Sequence, residues 1–510
     1  MRGDAAAQAP ELQQQNVDAA DTLEDLCALS PEDAAALPPF EEYDIWDRLQ
    51  DDFSWQIPEQ SRIDQEFRWY QKHPDYIQRV SERGSPYLFY IVNQLDKRGM
   101  PAELALLPIV ESAFDPFAYS HGRASGLWQI VPGTARVLGL KKSWWYDGRR
   151  DITASTDAAL NYLARLHSMY DGDWLLALAA YNSGAGNVNK AIQKNRRRGK
   201  PIDFWSLDLP KETRSYVPRL LALVKLFKDP DGYGMNLAKC PNKPYFEKVA
   251  TGSQIDLAEV ADFAQLTMDE VYSLNPGFNR WASDPSGPHE ILVPVDRSDT
   301  LREKLASMPP DERITWYRYM IHQGDTLSEI ARKYHVSTKS LIAINKLRGK
   351  SMIRAGRTLL VPIPAAKPSH YSKSWEQRLA QRQDSGKTGS NRRVEYKVHK
   401  GDSFWSIGRR FGVSAAQVAR WNNLAPRDPI RKGQTLVVWA GKTTVATMPG
   451  TSPSVIRKVS YKVRKGDSLH RIASRFNVDV SDILKWNSLN VKNYLQPGQA
   501  LVLFVDVTGR

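Results

Sequence analysis

The stretch Leu107–Leu140 reads L-P-I-V-E-S-A-F-D-P-F-A-Y-S-H-G-R-A-S-G-L-W-Q-I-V-P-G-T-A-R-V-L-G-L. Its one early carboxylate, Glu111, stands behind an apolar approach of Leu104, Leu106, Leu107, Ile109 and Val110. In a helix, Leu104, Leu107 and Glu111 share one face, because three, four and seven residues are near whole turns. That spacing turns Glu111 inward. Pro108 must kink the helix or begin its last turn. A carboxyl in apolar surroundings keeps its proton to higher pH, which suits a general acid near neutrality. Asp115 follows four residues on, but Pro116 takes it out of helical geometry. It is expected to shape a turn.

Glu111 does not stand alone. Ser112 follows directly, Ser120 comes later, and Gly126-Leu127-Trp128-Gln129 after that. Ala180-Tyr181-Asn182-Ser183-Gly184 ends another apolar run, and Glu212-Thr213-Arg214-Ser215-Tyr216-Val217 follows. Four blocks in this order resemble the lytic transglycosylase domain, a relative of the goose-type lysozyme fold. With the repeats described below, the arrangement is similar to the membrane-bound lytic murein transglycosylase D family. The likeness covers roughly residues 40–240 and extends through the repeats.

The 510 residues call for several domains. A formal charge of +13 and a pI near 9.4 point to an anionic partner surface. Nucleic acid is one such polyanion and the bacterial wall another. No zinc-finger spacing and no RNP-like segment is present, so no nucleic-acid partner is expected. The two cysteines, Cys27 and Cys240, make neither a disulfide framework nor a metal site. The longest apolar runs, Trp174–Tyr181 and Leu220–Phe227, are too short for a membrane span. The opening M-R-G-D-A-A-A-Q-A-P holds no hydrophobic export core, and Glu24-Asp25-Leu26 before Cys27 is no lipoprotein cleavage box. The true start is expected upstream, or the signal to have been removed.

Residues 1–38, rich in Ala, Gln, Asp and Glu, read as a flexible leader with a short helix around Leu23–Leu29. Residues 39–246 read as the α-rich domain with an N-terminal helical extension. Helices are expected over Ser85–Met100, from Pro132 to near Gly139, over Asp151–Tyr170, over Trp174–Tyr181 capped by Asp173, and over Lys211–Lys228. Asn182 to Gly186 reads as a loop, and Lys194–Lys200 as a solvated basic loop. Trp144, Trp145 and Tyr146 sit beside Lys141, Lys142 and Gly148, a loop setting that favours lining of a sugar groove.

A repeat governs the remainder. Gly324-Asp325-Thr326, Gly401-Asp402-Ser403 and Gly466-Asp467-Ser468 open three copies. Asn345, Asn422 and Asn487 each stand 21 residues past the first glycine, and Gly356, Gly433 and Gly498 each stand 32 past it. Ser337, Ser414 and Asp479 recur as cap residues. Thr326, Ser403 and Ser468 suit the N-cap of a first helix, with Glu329 completing a capping box. Tyr319–Ile321, Tyr396–Val398 and Tyr461–Val463 alternate as first strands, and Thr358–Val361, Thr435–Val438 and Ala500–Leu503 as last strands. Each copy is thus a small α+β unit of βααβ order, at 316–363, 394–440 and 459–505. It resembles the LysM module, which implies binding of N-acetylglucosamine-containing glycans. The repeated Gly, Asp and Asn are expected to be turn and cap residues. A divergent copy spans 247–297, keeping Asp256, Leu257, Val260, Thr267, Val271 and Asn275 in register but opening with Gly252-Ser253-Gln254. Linkers are expected at 364–392 and 441–457. The fold class is therefore multidomain: an α-rich lysozyme-like catalytic domain followed by LysM modules.

The resemblance implies a chemistry. Most glycosidases use two carboxylates, whereas one suits a substrate that supplies its own nucleophile, the C6 hydroxyl of N-acetylmuramic acid. Protonated Glu111 would protonate the β-1,4 oxygen and then accept the C6 proton, leaving a 1,6-anhydromuramyl end. Ser112, Ser120, Gln129, Tyr181, Asn182 and Tyr216 are the implied substrate-binding set. Ser120 and Tyr216 would hydrogen-bond near the acid, and Gln129 and Asn182 would hold N-acetyl or ring groups. Trp128 replaces the methionine of many soluble relatives, which bears on the shape of that subsite. No cofactor and no metal are implied. Peptidoglycan strands are the implied partner, of a monomer in the periplasm or cell envelope, associated with the outer membrane through an anchor not visible here. Two readings stay open beside this one: a water-using muramidase or chitinase-like enzyme, and a non-catalytic peptidoglycan-binding protein.

Overall fold

The computed structural model describes residues 44–120, 122–347, 353–387, 391–440, 456–464, 466–476, 478, 480–487, 489 and 495–506. The leader 1–38, Cys27, the cap residue Asp479 and most of the 441–457 linker lie outside the described residues. The chain forms two compact units. The first runs to residue 387 and takes in 394–409 and 413–438. The second holds the third repeat with 391–393, 410–412 and 439–440.

The first part of the chain is helical: α1 (Ile45–Asp52), α2 (Ser61–Gln71), α3 (Pro74–Asp96), α4 (Leu107–Ser112), α5 (Pro132–Val137), α6 (Ile152–Met169), α7 (Trp174–Ser183), α8 (Ala185–Arg196) and α9 (Lys211–Phe227). Side chains set several boundaries. Asp151 accepts the Ala154 N–H at 2.8 Å to open α6, and Asp173 accepts the Leu176 N–H at 2.9 Å to open α7. The spine is α9. Val217, Leu220 to Val224, Leu226 and Phe227 are all buried in it, and it packs on α2, α7 and α4. Each fully buried Leu or Phe there contributes about 1.5–3 kcal/mol. A helix so fixed along its length makes a rigid mount for any polar residue on its first turns.

Three expectations about these helices need correction. Helix α3 starts at Pro74, well before Ser85, and carries Pro86 inside it. Its buried Gly84 lets the Phe114 ring approach so closely that an added Cβ would lie 2.9 Å away. The expected Asn182–Gly186 loop is only a joint. Asn182 and Ser183 stay in α7, Gly184 alone breaks the rod at φ +86°, and α8 begins at once. Consequently Lys194–Arg196 is helix rather than loop.

Four two-stranded antiparallel modules follow. The divergent one has β1 (Phe246–Ala250), α10 (Leu257–Ala264), α11 (Met268–Leu274) and β2 (Glu290–Pro294), with Val249 opposite Ile291, and α12 (Val295–Ser307) follows it. The first repeat has β3 (Thr315–Met320), α13 (Leu327–Lys333), α14 (Thr338–Ile344) and β4 (Thr358–Ile363). After α15 (Trp375–Asp384), the second repeat has β5 (Arg392–Lys397), α16 (Phe404–Phe411), α17 (Ala415–Trp421) and β6 (Thr435–Ala440). The third has β7 (Ile456–Lys462), α18 (Leu469–Phe476), α19 (Val480–Trp486) and β8 (Ala500–Asp506). The first strands begin several residues before the expected tyrosines. The recurring asparagine explains why the register is kept. Asn345 donates to the Leu341 and Leu360 carbonyls and accepts the Leu360 N–H at 2.7 Å. Asn275, Asn422 and Asn487 make the same three bonds to the last strands of their own modules. They tie helix to strand, so their amides serve the fold. Thr326 caps α13, but Glu329 bonds its hydroxyl rather than its backbone N–H, so the expected capping box is only half formed.

Two further expectations fail for one reason. Trp145 and Tyr146 are buried, not groove-lining: they enter a core shared with the divergent module and the first repeat. The indole of Trp145 donates to Ser340 at 2.9 Å, and Asn279 N–H donates to the Trp145 carbonyl at 2.6 Å. Nor is 364–392 a loose spacer up to residue 387. Tyr371 is buried with its hydroxyl on Asp256, and Trp375 N–H donates to the Asn279 carbonyl. Large aromatics that find buried partners override a polar average composition.

Candidate active site

Glu111 stands near the C-terminal end of α4, where Ala113 and Phe114 turn left-handed at φ +51° and +54° and end the helix. The bend leaves Glu111 half-buried at the wall of a cleft of about 730 Å³. The Tyr216 hydroxyl, carried by α9, donates to its Oε1. Burial pushes the Glu111 carboxyl up to about 8; the Tyr216 bond opposes that rise and the Glu212 charge adds to it. At neutral pH the group is mostly protonated, the state a general acid needs.

Most of the sequence-singled residues meet in this cleft. Ser120, Gln129, Tyr181, Asn182 and Tyr216 line it with Glu111. Ser120 Oγ accepts the Ala124 N–H at 3.0 Å. Gln129 has φ +44°, and its amide donates to the Gly126 carbonyl at 2.9 Å. That turn is close-packed: a Cβ on Gly126 would fall 2.1 Å from the Arg149 carbonyl oxygen. The Tyr181 hydroxyl donates to the Trp128 carbonyl at 2.8 Å, and Asn182 accepts from Thr213 at 2.8 Å, joining α7 to α9. Burial and the nearby Glu111 charge hold both tyrosine hydroxyls well above the usual phenol range, so they remain donors.

Ser112 is not brought to the cleft. Its hydroxyl donates to the Leu127 carbonyl at 2.9 Å and stitches α4 to the Gly126–Gln129 turn. Asp115 accepts the Phe117 N–H at 2.8 Å, as a turn residue should. Trp128 is wholly buried, its indole donating to Thr156 at 3.0 Å. It therefore shapes the site from beneath, as a foundation for the turn, and not as a wall of a subsite.

The cleft also holds groups that the sequence reading passed over. Glu212 lines it, so a second carboxylate is present. It stands one helical turn before Tyr216 on α9, a spacing that could have flagged it. Tyr162 of α6 and Val131, Thr134 and Leu138 around α5 complete the walls. Pro426 and Arg427 come from the second repeat, and no local signal places them there. Among the described residues, no group of His, Cys, Asp and Glu is arranged to hold a metal ion. No helix among them is long and apolar enough to cross a membrane.

Comparison with known proteins gives a consistent picture. Residues 90–204 match the family described as Transglycosylase SLT domain. Residues 319–362, 396–439 and 461–504 match LysM domain, and 245–310 match Lytic transglycosylase MltD, LysM-like domain. The chain is 42% identical over 405 residues to membrane-bound lytic murein transglycosylase D of Escherichia coli K12, covering 76% of this chain and 85% of the relative. It is 28% identical over 198 residues to an autolysin of Enterococcus faecalis, covering 36% of this chain and 24% of the relative. A solved lytic transglycosylase, Slt of Pseudomonas aeruginosa, overlaps 29% of this chain and 24% of its own at 27% identity, with a TM-score of 0.23. An α-rich domain built around a half-buried glutamate, joined to four βααβ modules and matched over most of its length at 42% identity, is decisive: the chain belongs to the membrane-bound lytic murein transglycosylase D family.

Proposed function

We propose that Glu111 is the single acid–base residue of a lytic murein transglycosylase acting on the β-1,4 bond between N-acetylmuramic acid and N-acetylglucosamine. The observation that carries this is the raised carboxyl of Glu111, hydrogen-bonded by Tyr216 on the wall of an open cleft. As proton donor, Glu111 assists departure of the glucosamine C4 oxygen. Its carboxylate then takes the proton from the C6 hydroxyl as that oxygen bonds to C1. Atoms balance within the sugar: one glycosidic bond breaks, one internal ether forms, and no water is consumed. Tyr216 steadies the carboxylate formed midway, because a bond to the charged form favours it. Glu212 works the other way, keeping Glu111 protonated in the resting state. Ser120, Gln129 and Asn182 are placed to hold the sugar rings, and Tyr181 holds the Gln129 turn through the Trp128 carbonyl. Ser112 acts on substrate only through that turn.

The chain is a peptidoglycan-cleaving lyase, and its LysM repeats bind the glycan of the wall. Each offers a small surface, so several linked modules raise effective affinity. We place the protein in the cell envelope, as a monomer held at the outer membrane. Solubilisation of purified sacculi tests the reading. Wild type should release fragments, and Glu111→Gln should be at least ~10²-fold slower while still pelleting with sacculi. Comparable release by both would remove Glu111 from the chemistry.

A further inference from the structure

The cleft continues past the helical domain. Ser120 and Pro426, which line it, also bound a neighbouring hollow of about 230 Å³. Tyr119, Asn423 and Leu424 of that hollow also line a third, of about 420 Å³. The seam is pinned where Asp428 accepts from the Tyr119 hydroxyl at 2.9 Å and pairs with Arg123 at 2.5 Å. A surface path therefore leads from Glu111 to the third hollow within one compact unit.

That third hollow is cationic. Arg123, Lys142, Arg149, Arg150, Arg280 and Arg378 line it, against Asp147 and Asp428. Four of the six cations have carboxylates: Lys142 and Arg149 share Asp147, Arg123 has Asp428, and Arg280 has Glu376. Arg150 and Arg378 form no ion pair among the described residues. Arg150 donates to the Pro276 carbonyl at 2.9 Å and to the Asn279 side chain. Arg378 donates one nitrogen to the Lys373 carbonyl at 2.6 Å, while its buried Nη2 has no partner. Stacking fixes two of the lining arginines: Arg378 lies over Phe117 at 4.8 Å and Arg280 over Trp144 at 3.8 Å. Burial, then the charge of Arg150, drives the proton affinity of Arg378 well below the usual arginine range. The charge of Asp147 acts on Arg150 and that of Glu376 on Arg378, yet neither carboxylate forms an ion pair with them. Two half-buried arginines that repel each other line the hollow with no carboxylate in contact among the described residues, which leaves room for an added anion.

A guanidinium fork matches a carboxylate with two parallel bonds, and does so best when already held rigid. We propose that the Arg150–Arg378 pocket binds a carboxylate of the peptide stem carried by the glycan strand lying over Glu111. This rests on the peptidoglycan reading above. In such a strand the muramic lactyl group is amide-linked to the stem, so the stem carboxylates are the anions the strand presents. The path from the cleft brings them to the pocket, which makes the enzyme a reader of stems as well as sugars.

The test uses the full chain with Arg378→Gln and Arg378→Lys, on stem-bearing glycan strands and on the same strands stripped of stems by an amidase. Arg378→Gln should lose about tenfold more kcat/KM on the stem-bearing strands than on the stripped ones, through KM. Arg378→Lys, which keeps the charge and loses the fork, should recover part of that. In a second arm, free stem tetrapeptide, its carboxamide form and inorganic phosphate are titrated into the Glu111→Gln chain. The tetrapeptide should bind at least ~10-fold more tightly than the carboxamide, and Arg378→Gln should abolish the difference. Equal losses on both strands, equal binding of peptide and carboxamide, or a response to phosphate alone would overturn the proposal. Failure of wild type to cleave either strand would instead overturn the peptidoglycan reading, and the peptide arm does not depend on turnover.

Discussion

Replacing Glu111 by Gln should stabilise the catalytic unit at alkaline pH while abolishing cleavage. The carboxyl sits at about 8 in the folded chain against 4.5 for an unperturbed Glu. Between those values the folded state holds a proton that the unfolded state has released. Stability must therefore fall as pH rises across that window, and it levels off above about 8. The full shift corresponds to a ceiling on the order of 5 kcal/mol. Water in the cleft screens the ionised form, so about 2–3 kcal/mol is the expected share. Gln is neutral throughout and can still accept from Tyr216. The variant should match wild type near pH 5 and exceed it by that amount at pH 9, or roughly 5–10 °C in Tm for a domain of this size. Calorimetry of the full chain at pH 5, 7 and 9 measures this. A pH-independent difference, or a variant less stable at pH 9, would refute the buried-acid argument.

Tyr216→Phe removes a bond that favours the ionised form, so the alkaline limb of the pH–rate profile should move to higher pH, with kcat down about tenfold. An unmoved limb would show that the bond is incidental. Glu212→Gln should move the same limb to lower pH, because its charge raises Glu111; a shift upward would contradict that sign. Removing residues 441–510, the third repeat with its connecting segment, should weaken pelleting with sacculi several-fold and leave turnover of short soluble muropeptides near wild type. Equal loss on both would assign that repeat to stability.

The sequence was most legible where local physics decides. The helix cap at Asp173, the repeat spacing that ends at Asn345, Asn422 and Asn487, and the apolar approach to Glu111 depend on neighbours in the chain, and each appears in the structure. What was illegible depends on partners far along the chain. Trp145 and Tyr146 looked like groove residues because their local setting is polar, and only the divergent module and first repeat show what covers them. Tyr371 in an apparent linker is explained by Asp256, over a hundred residues away. Ser112 looked like a sugar ligand beside Glu111, but its hydroxyl is spent on the Leu127 carbonyl. Pro426 and Arg427 reach the cleft only because the second repeat folds beside Tyr119 and Arg123.

The central claim is that a single glutamate, with the substrate's own C6 hydroxyl as acceptor, performs the cleavage. Mass spectrometry of the muropeptides released by the purified full chain tests it most directly. The main new species should carry 1,6-anhydromuramyl ends, each lighter by one water than the hydrolysed counterpart, with no oxygen from labelled water incorporated. Reducing muramic ends carrying that label would contradict it, and would make Glu111 the acid of a hydrolase with Glu212 as a candidate base.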